Sequence, residues 1–195
     1  MAIWYNLGMK LIGLAGTNGS GKDTVGKMLA DKHGFLNVSV SDLLRDECRK
    51  RGLAVERDNL RMISAEWRRE GELGVLVDKA VELFSKQAAE YNGLAVGSLR
   101  NPGECTRVTE LGGVNVWVDA DPRIRYERIQ SANRGRGAED AKTYDQFLAE
   151  EAAEMRSSGD AATLNMSAVK KLCTVTIMNE AEKDALEAQV DSLAE

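Results

Sequence analysis

The chain alternates between short apolar runs and longer, more polar segments that carry the end signals of helices. The runs are largely β-branched, which is typical of strands buried on both faces of a parallel sheet. Because helical segments separate them, the pattern predicts βαβ units in a three-layer α/β/α fold around a five-stranded parallel sheet. The predicted strands are KLIGLA (10–15), FLNVSV (35–40), LAVGSL (94–99), VNVWVD (114–119) and CTVTIM (173–178).

Short motifs mark where several of the predicted helices begin and end. Gly34 is placed to end the first helix, because glycine readily takes the left-handed conformation that follows a helix. The Asn-Pro pair at 101–102 and the Asp-Pro pair at 121–122 each put proline at the first position of a helix. The TYDQ segment at 143–146 has the spacing of a capping box.

Two connections are longer than a crossover between parallel strands requires. Residues 41–92 predict two or three helices, and residues 131–142 form a polar loop rich in glycine and arginine. Extra segments at the carboxyl ends of parallel strands are where α/β proteins build ligand sites. Since no linker or repeat interrupts the pattern, we expect residues 1–195 to form a single domain that carries both segments.

Composition and charge argue against several classes of protein. A formal net charge of −5 is unfavourable for a nucleic-acid partner. No apolar run approaches the ~20 residues that span a membrane, so we expect no membrane partner and a cytoplasmic location. The three cysteines lie far apart without a CxxC pair and only one histidine is present, which makes a zinc site or a disulfide framework unexpected.

The segment GLAGTNGSGKDT at 13–24 carries the clearest chemistry. Gly16, Gly21 and Lys22 fit the G-x-x-x-x-G-K pattern between a strand and a helix, the setting in which this pattern cradles phosphate. Backbone N–H groups and the helix N-terminus face the phosphate oxygens, and the lysine adds a full positive charge. The predicted ATP-binding residues in this segment are Gly16, Asn18, Gly19, Ser20, Gly21, Lys22, Asp23 and Thr24.

Asp23 stands where a magnesium-binding hydroxyl is expected. An aspartate could hold the ion through water, because magnesium keeps several of its waters. Thr24 offers a hydroxyl one residue later, to the metal or to a phosphate. The remaining interpretation is that Asp23 is only a favourable charge at a helix N-terminus.

From this loop onward the sequence resembles the P-loop nucleoside monophosphate kinases, including adenylate-kinase-like, dephospho-CoA-kinase-like and mainly archaeal branches. The resemblance runs from about residue 10 to the C-terminus and depends on the order of its motifs. It implies a nucleotide-kinase type of P-loop NTP hydrolase fold, with residues 41–92 as an acceptor-binding insertion and 131–142 as a lid. ATP and Mg²⁺ are the implied cofactors. The motifs are SDLLRDECRKRG (41–52), RDNLRMISAEWRREGELGVLVDKA (57–80), GSLRNPGE (97–104), VDADPRIRYERI (118–129) with RGRG, and CTVTIMNE (173–180).

The acceptor side offers two kinds of chemistry. A phosphate acceptor is already ionised at neutral pH and needs arginine clamps but no base. A hydroxyl acceptor, such as the ribose of dephospho-CoA, needs a base, for which Asp42 is the candidate. Arginine suits phosphate because its planar fork donates paired hydrogen bonds, although Arg57 and Arg68 could equally be solvated. The candidate acceptor-binding residues are Asp42, Arg45, Arg57, Arg68 and Arg100.

The glycine-rich segment around NRGRG predicts a lid. Arg128, Arg134 and Arg136 are candidates to neutralise charge on a transferred phosphoryl group, and the glycines allow the loop to close. An ordinary charged surface loop is the alternative. The resemblance implies that Asn179 lies in the loop that touches adenine. Asp119 ends the fourth strand, where it is either a metal-organising carboxylate or a residue that starts the next helix, and we favour the helix start.

These observations lead to one functional hypothesis and two rivals. The hypothesis is a phosphotransferase that moves the γ-phosphate of ATP to a nucleoside or deoxynucleoside monophosphate, a small-molecule nucleotide acceptor. Its catalytic candidates are Lys22, Asp42, Arg128, Arg134 and Arg136. The rivals are a dephospho-CoA kinase and a regulatory or assembly ATPase of the same fold. The oligomeric state is expected to be a monomer or a homodimer.

Overall fold

A computed structural model describes residues 9–131 and 142–195 and contains one five-stranded sheet. All of its strands run parallel, in the order β2-β3-β1-β4-β5. This confirms the three-layer α/β/α fold, and each predicted strand agrees to within two residues at its ends. The strands are β1 (Lys10–Ala15), β2 (Phe35–Ser39), β3 (Gly93–Leu99), β4 (Val114–Asp119) and β5 (Val175–Met178).

Helices separate consecutive strands throughout the described chain. Three of them, α2 to α4, lie between β2 and β3 and fulfil the prediction for residues 41–92, together with one 3₁₀ turn at Ala88–Glu90. The helices are α1 (Lys22–His33), α2 (Val40–Lys50), α3 (Arg57–Glu70), α4 (Val75–Ser85), α5 (Pro102–Glu110), α6 (Pro122–Ser131), α7 (Tyr144–Glu154), α8 (Met166–Leu172) and α9 (Lys183–Ala194). None of the described helices has the length and apolar character needed to cross a bilayer.

The predicted helix ends are present. Gly34 takes a left-handed conformation (φ 69°) and ends α1. Asn101 closes a capping box with Glu104 at the start of α5, and Thr143 closes another with Gln146 at the start of α7. Each of these ends therefore follows from local chemistry alone.

The sheet separates two apolar clusters. On one face, side chains such as Leu11 and Trp117 pack with α2, α4, α5 and α8. On the other face, Leu14 and Val116 pack with α1 and α9. Because consecutive strand residues point to opposite faces, the continuous apolar character of the strands is what allows both faces to be covered.

The ladder between β1 and β3 is irregular where β3 ends. Its register shifts between Leu14 and Ala15, opposite Ser98. Among the described residues, Ser98 is the only non-glycine with a positive φ (66°), a conformation that costs energy for a residue with a Cβ atom. This strained residue is two positions before Arg100, so the irregularity lies beside a predicted acceptor-binding residue.

Candidate active site

The loop between β1 and α1 is built on glycines that no larger residue could replace. Gly16, Gly19 and Gly21 have φ values of 150°, 80° and 93°. A Cβ atom would lie 2.4 Å from the Val118 carbonyl oxygen at Gly16 and 2.1 Å from the Asn179 amide nitrogen at Gly21. The loop therefore requires glycine for backbone conformation and for space.

The interior of this loop fits a polyphosphate. The hydroxyl oxygens of Thr17 and Ser20 are buried and have no hydrogen-bond partner within the described residues. Such groups are costly to bury unpaired, and a ligand with acceptor oxygens would satisfy them. Lys22 begins α1 and is buried, so its charge lies at the same helix N-terminus.

Asp23 and Thr24 occupy the first turn of α1 and are both exposed. Their side chains are accessible at the positive end of the helix, beside the glycine loop. This position is compatible with a metal contact through water and equally with a simple helix charge. Their roles in metal binding remain predictions.

Asn179 contacts the loop itself. Its side-chain amide donates a buried 2.8 Å hydrogen bond to the Ser20 carbonyl oxygen, and its backbone N–H donates a 2.8 Å bond to the Asp119 carbonyl oxygen. These bonds fix the glycine loop to the segment between β5 and α9. The contact between Asn179 and adenine implied by the resemblance remains a prediction.

Asp119 does not start the following helix, contrary to our expectation. Asp121 does so, because its carboxylate accepts a 2.7 Å bond from the Arg123 N–H. Asp119 instead accepts bonds of 3.0 Å each from the indole of Trp117 and the ammonium of Lys170. Partial burial acts to raise the pKa of Asp119, but these hydrogen bonds outweigh it and hold the pKa below its usual value.

A cavity of about 820 Å³ opens beside the loop and shares Asn18 with it. Its walls come from α2, α3, the end of β3 and the region around the end of α7, with Val40, Leu44 and Leu60 forming an apolar part. The positive charge of the cavity comes from six arginines, Arg45, Arg57, Arg61, Arg68, Arg100 and Arg156. Sequence reasoning missed Arg61, although it lies one turn from Arg57 on the same helix.

Arg68 differs from the other predicted acceptor arginines. Its guanidinium donates to the Glu104 carboxylate at 2.6 Å and to the Ala162 carbonyl oxygen at 2.8 Å, and both partners of the ion pair are buried. Glu104 also accepts from the backbone N–H groups of Arg100 and Asn101. These contacts support a structural role for Arg68, which joins α3 to the turn that carries Arg100.

Asp42 and Arg45 form an ion pair of 2.6 Å on α2, but they are placed differently. Arg45 lines the cavity, whereas Asp42 does not and has 66% of its side chain exposed. A base must reach the proton that it removes. The position of Asp42 is therefore unfavourable for the catalytic role predicted for it.

The last turns of α7 place carboxylates against arginines of other elements. Glu154 lies in the cavity and pairs with Arg100 at 2.9 Å. Glu151 holds the buried Arg125 of α6, whose guanidinium also donates to the Ala120 carbonyl oxygen. Arg125, which sequence reasoning missed, thereby connects α6 and α7 near the phosphate loop.

Of the three arginines predicted to act with the lid, only Arg128 lies within the described residues. Arg128 lies on α6, and one of its guanidinium nitrogens is buried without a hydrogen-bond partner among the described residues. The described residues leave this donor unsatisfied, and the role of Arg128 in phosphoryl transfer stays a prediction. Arg134 and Arg136 lie outside the described residues, so their proposed roles remain predictions.

Comparisons with known proteins agree with this architecture. A family model described as AAA domain matches residues 12–156. A UPF0200 protein of Pyrococcus abyssi is 31% identical over 145 residues, which are 71% of this chain and 74% of that protein. The cytidylate kinase of Archaeoglobus fulgidus is 31% identical over 118 residues, which are 60% of this chain and only 59% of that protein.

The comparison with solved structures concerns the fold. The shikimate kinase of Bacteroides thetaiotaomicron superimposes with a TM-score of 0.56 at 16% sequence identity, covering 95% of this chain and 96% of that one. Identity at this level carries information on architecture and none on substrate. The five-stranded parallel sheet and this likeness together show the fold of a P-loop kinase.

Proposed function

We propose that this chain, which belongs to the AAA domain family and to the UPF0200 proteins, moves the γ-phosphate of ATP to a nucleoside or deoxynucleoside monophosphate. The observation that carries the proposal is the arginine-lined cavity, which shares Asn18 with the phosphate loop. An acceptor phosphate bound there would lie next to the terminal phosphate of a nucleotide held by the loop. Positioning of this kind is the main contribution of a protein to phosphoryl transfer.

The donor side of the proposal uses the loop and the start of α1. ATP supplies the transferred phosphoryl group, and magnesium bound to it neutralises charge on the phosphate oxygens. Lys22 and the loop N–H groups hold the phosphates, and the unpaired hydroxyls of Thr17 and Ser20 give them further donors. Asp23, through water, and Thr24 would contact the metal.

The acceptor side favours a phosphate over a hydroxyl. Arg45, Arg57 and Arg100 line the cavity and can clamp a dianion that needs no deprotonation. A hydroxyl acceptor would need a base. The Asp42 carboxylate predicted for that role is exposed and outside the cavity wall, and the Glu154 carboxylate, which does line the cavity, is engaged by Arg100 at 2.9 Å. The relative from Archaeoglobus fulgidus is named a cytidylate kinase, and cytidylate is a nucleoside monophosphate, which supports the same class of acceptor.

The decisive experiment is ADP release from ATP and magnesium, measured against a panel of ribo- and deoxyribonucleoside monophosphates, dephospho-CoA and shikimate. We expect at least one monophosphate to increase ADP release well above the rate with ATP alone. Stimulation by dephospho-CoA or shikimate only would replace the proposal by a hydroxyl kinase. Slow hydrolysis that responds to no acceptor would favour a regulatory or assembly ATPase.

We expect the active form to be cytoplasmic, as a monomer or homodimer.

A further inference from the structure

Glu154, the last residue of α7, places a carboxylate in the cavity that the proposed function assigns to the acceptor phosphate. We propose that this carboxylate is an internal anion that competes with the acceptor for the same arginines and so sets the affinity for it. The inference rests on the proposed function for the identity of the acceptor. It does not require phosphoryl transfer to occur, because it concerns the binding of an anion.

The contacts of Glu154 are those that a bound phosphate would make. One carboxylate oxygen is 2.9 Å from a guanidinium nitrogen of Arg100. The other lies 3.7 Å from Arg57 and 3.6 Å from Arg61, both on α3. With 12% of its side chain exposed, Glu154 is the most buried member of this group. Guanidinium groups that converge on one anion from two elements form the usual geometry of a phosphate clamp.

The position of Glu154 on its helix is unfavourable without these arginines. The carbonyl end of a helix carries partial negative charge, so a carboxylate there is destabilised. The last turn of α7 carries no basic residue to offset it. The carboxylate is therefore stabilised by contacts with other elements. When another anion displaces it, the arginines lose their charge-assisted bonds to Glu154 and form equivalent bonds to that anion.

The charge of the cavity also fits a second anion. Apart from Arg68, which pairs with Glu104, the described wall carries five arginines and two acids, Glu56 and Glu154. Exposed acids outside the wall also pair with three of these arginines, Asp42 with Arg45, Glu150 with Arg57 and Asp58 with Arg61. Water screens these exposed partners more than it screens Glu154, which is 12% exposed, so a phosphate dianion that replaces Glu154 still meets arginines that attract it. Glu154 thus holds the arginines together in the absence of acceptor without neutralising them.

The test compares Glu154→Gln with Glu150→Gln by titrating inorganic phosphate in a calorimeter. Glu150 lies one turn earlier on α7, outside the cavity wall, and contacts only Arg57 among the three arginines. Saturating ADP fills the phosphate loop during the titration. We expect Glu154→Gln to bind phosphate about three- to tenfold more tightly than the unsubstituted chain, the range for removing one part-buried competing charge. Glu150→Gln should change the affinity by less than about twofold.

Steady-state kinetics give a second test of the competition between Glu154 and the acceptor. For the best acceptor of the panel, Glu154→Gln should lower the acceptor KM while the KM for ATP stays unchanged. Phosphate affinity that is unchanged or weaker in Glu154→Gln than in Glu150→Gln would overturn the inference, because Glu154 would then only support the arginines. If Glu154→Gln unfolds, Glu154→Asp gives the same test, since its shortened carboxylate should yield a smaller gain in affinity.

The two proposals fail in different ways. Tighter phosphate binding by Glu154→Gln, with no acceptor phosphorylated, would retain the internal anion and reject the kinase. Phosphorylation of a monophosphate, with no gain in phosphate affinity, would retain the kinase and reject the internal anion.

Discussion

At the scale of single residues, burial and partners separate arginines that look alike in the sequence. Arg45 is part-exposed and lines the cavity, so its guanidinium can reach a ligand. Arg68 is buried and satisfied by Glu104 and a backbone carbonyl, so its guanidinium supports the fold. A buried guanidinium needs such partners to offset its loss of hydration. The same residue type therefore has two roles on neighbouring helices.

The pair Asp42 and Arg45 gives a prediction at this scale. Arg45→Ala should raise the acceptor KM about tenfold or more, because a charge-assisted contact disappears from the cavity. Asp42→Asn should change kcat by less than about twofold, since a phosphate acceptor needs no base and the side chain is outside the wall. Both variants are measured with the best acceptor of the panel. A fall in kcat of about 10²-fold in Asp42→Asn alone would identify a general base and a hydroxyl acceptor.

At the scale of elements, the site is assembled from segments that lie far apart in the chain. The loop before α1 is fastened by Asn179, which follows β5. The acceptor wall combines α2 and α3 with the end of β3, and α7 returns to place Glu154 among them. The order of the parallel strands brings these carboxyl ends to one edge of the sheet.

Asn179→Ala tests whether the hydrogen bond from the Asn179 amide to Ser20 holds the phosphate loop in place. The substitution leaves the buried Ser20 carbonyl oxygen without its 2.8 Å donor, which costs about 1–3 kcal/mol and loosens the loop. We expect the KM for ATP to rise about fivefold to a hundredfold, with the acceptor KM unchanged.

The matched control for Asn179→Ala is Asn92→Ala, which removes a similar amide-to-carbonyl bond of 2.9 Å, to His33, away from the loop. It should leave the KM for ATP as it is. Equal kinetic effects of the two substitutions would contradict a specific role for Asn179.

At the scale of the whole molecule, one sheet with an apolar cluster on each face predicts a single cooperative unfolding transition. A ligand that binds only the folded state stabilises it by about 2.7 kcal/mol at a hundred times its Kd. For a chain of this size, we expect ATP with magnesium at that level to raise Tm by about 5–10 °C. Thermal unfolding followed by circular dichroism measures this shift.

Lys22→Ala is the control for the effect of ATP on Tm. Its own Tm without nucleotide should be close to that of the unsubstituted chain, while the shift caused by ATP should largely disappear. An undiminished shift in Lys22→Ala would place the donor site elsewhere. Two separate transitions would contradict the prediction of a single domain over residues 1–195.

The sequence by itself determined the strands, the helix ends and the phosphate loop of this protein. Each depends on neighbours along the chain: an apolar run, the Gly34 cap, or the spacing of Gly16, Gly21 and Lys22. These signals act over a few residues, so local chemistry is sufficient to specify them. The family resemblance added the expectation that residues 41–92 would line an acceptor site.

Only the tertiary structure decided which charged side chains face the cavity. Nothing along the chain distinguishes Arg68 from Arg45, because the partner that pairs with the buried Arg68 is Glu104, which lies on an element distant in sequence. Asp119 similarly takes its Lys170 partner from α8. The convergence of Glu154 with Arg100 likewise depends on how α7 packs across the end of β3. The energy of a charge is set by burial and by the groups around it, and both are known only once the chain has folded.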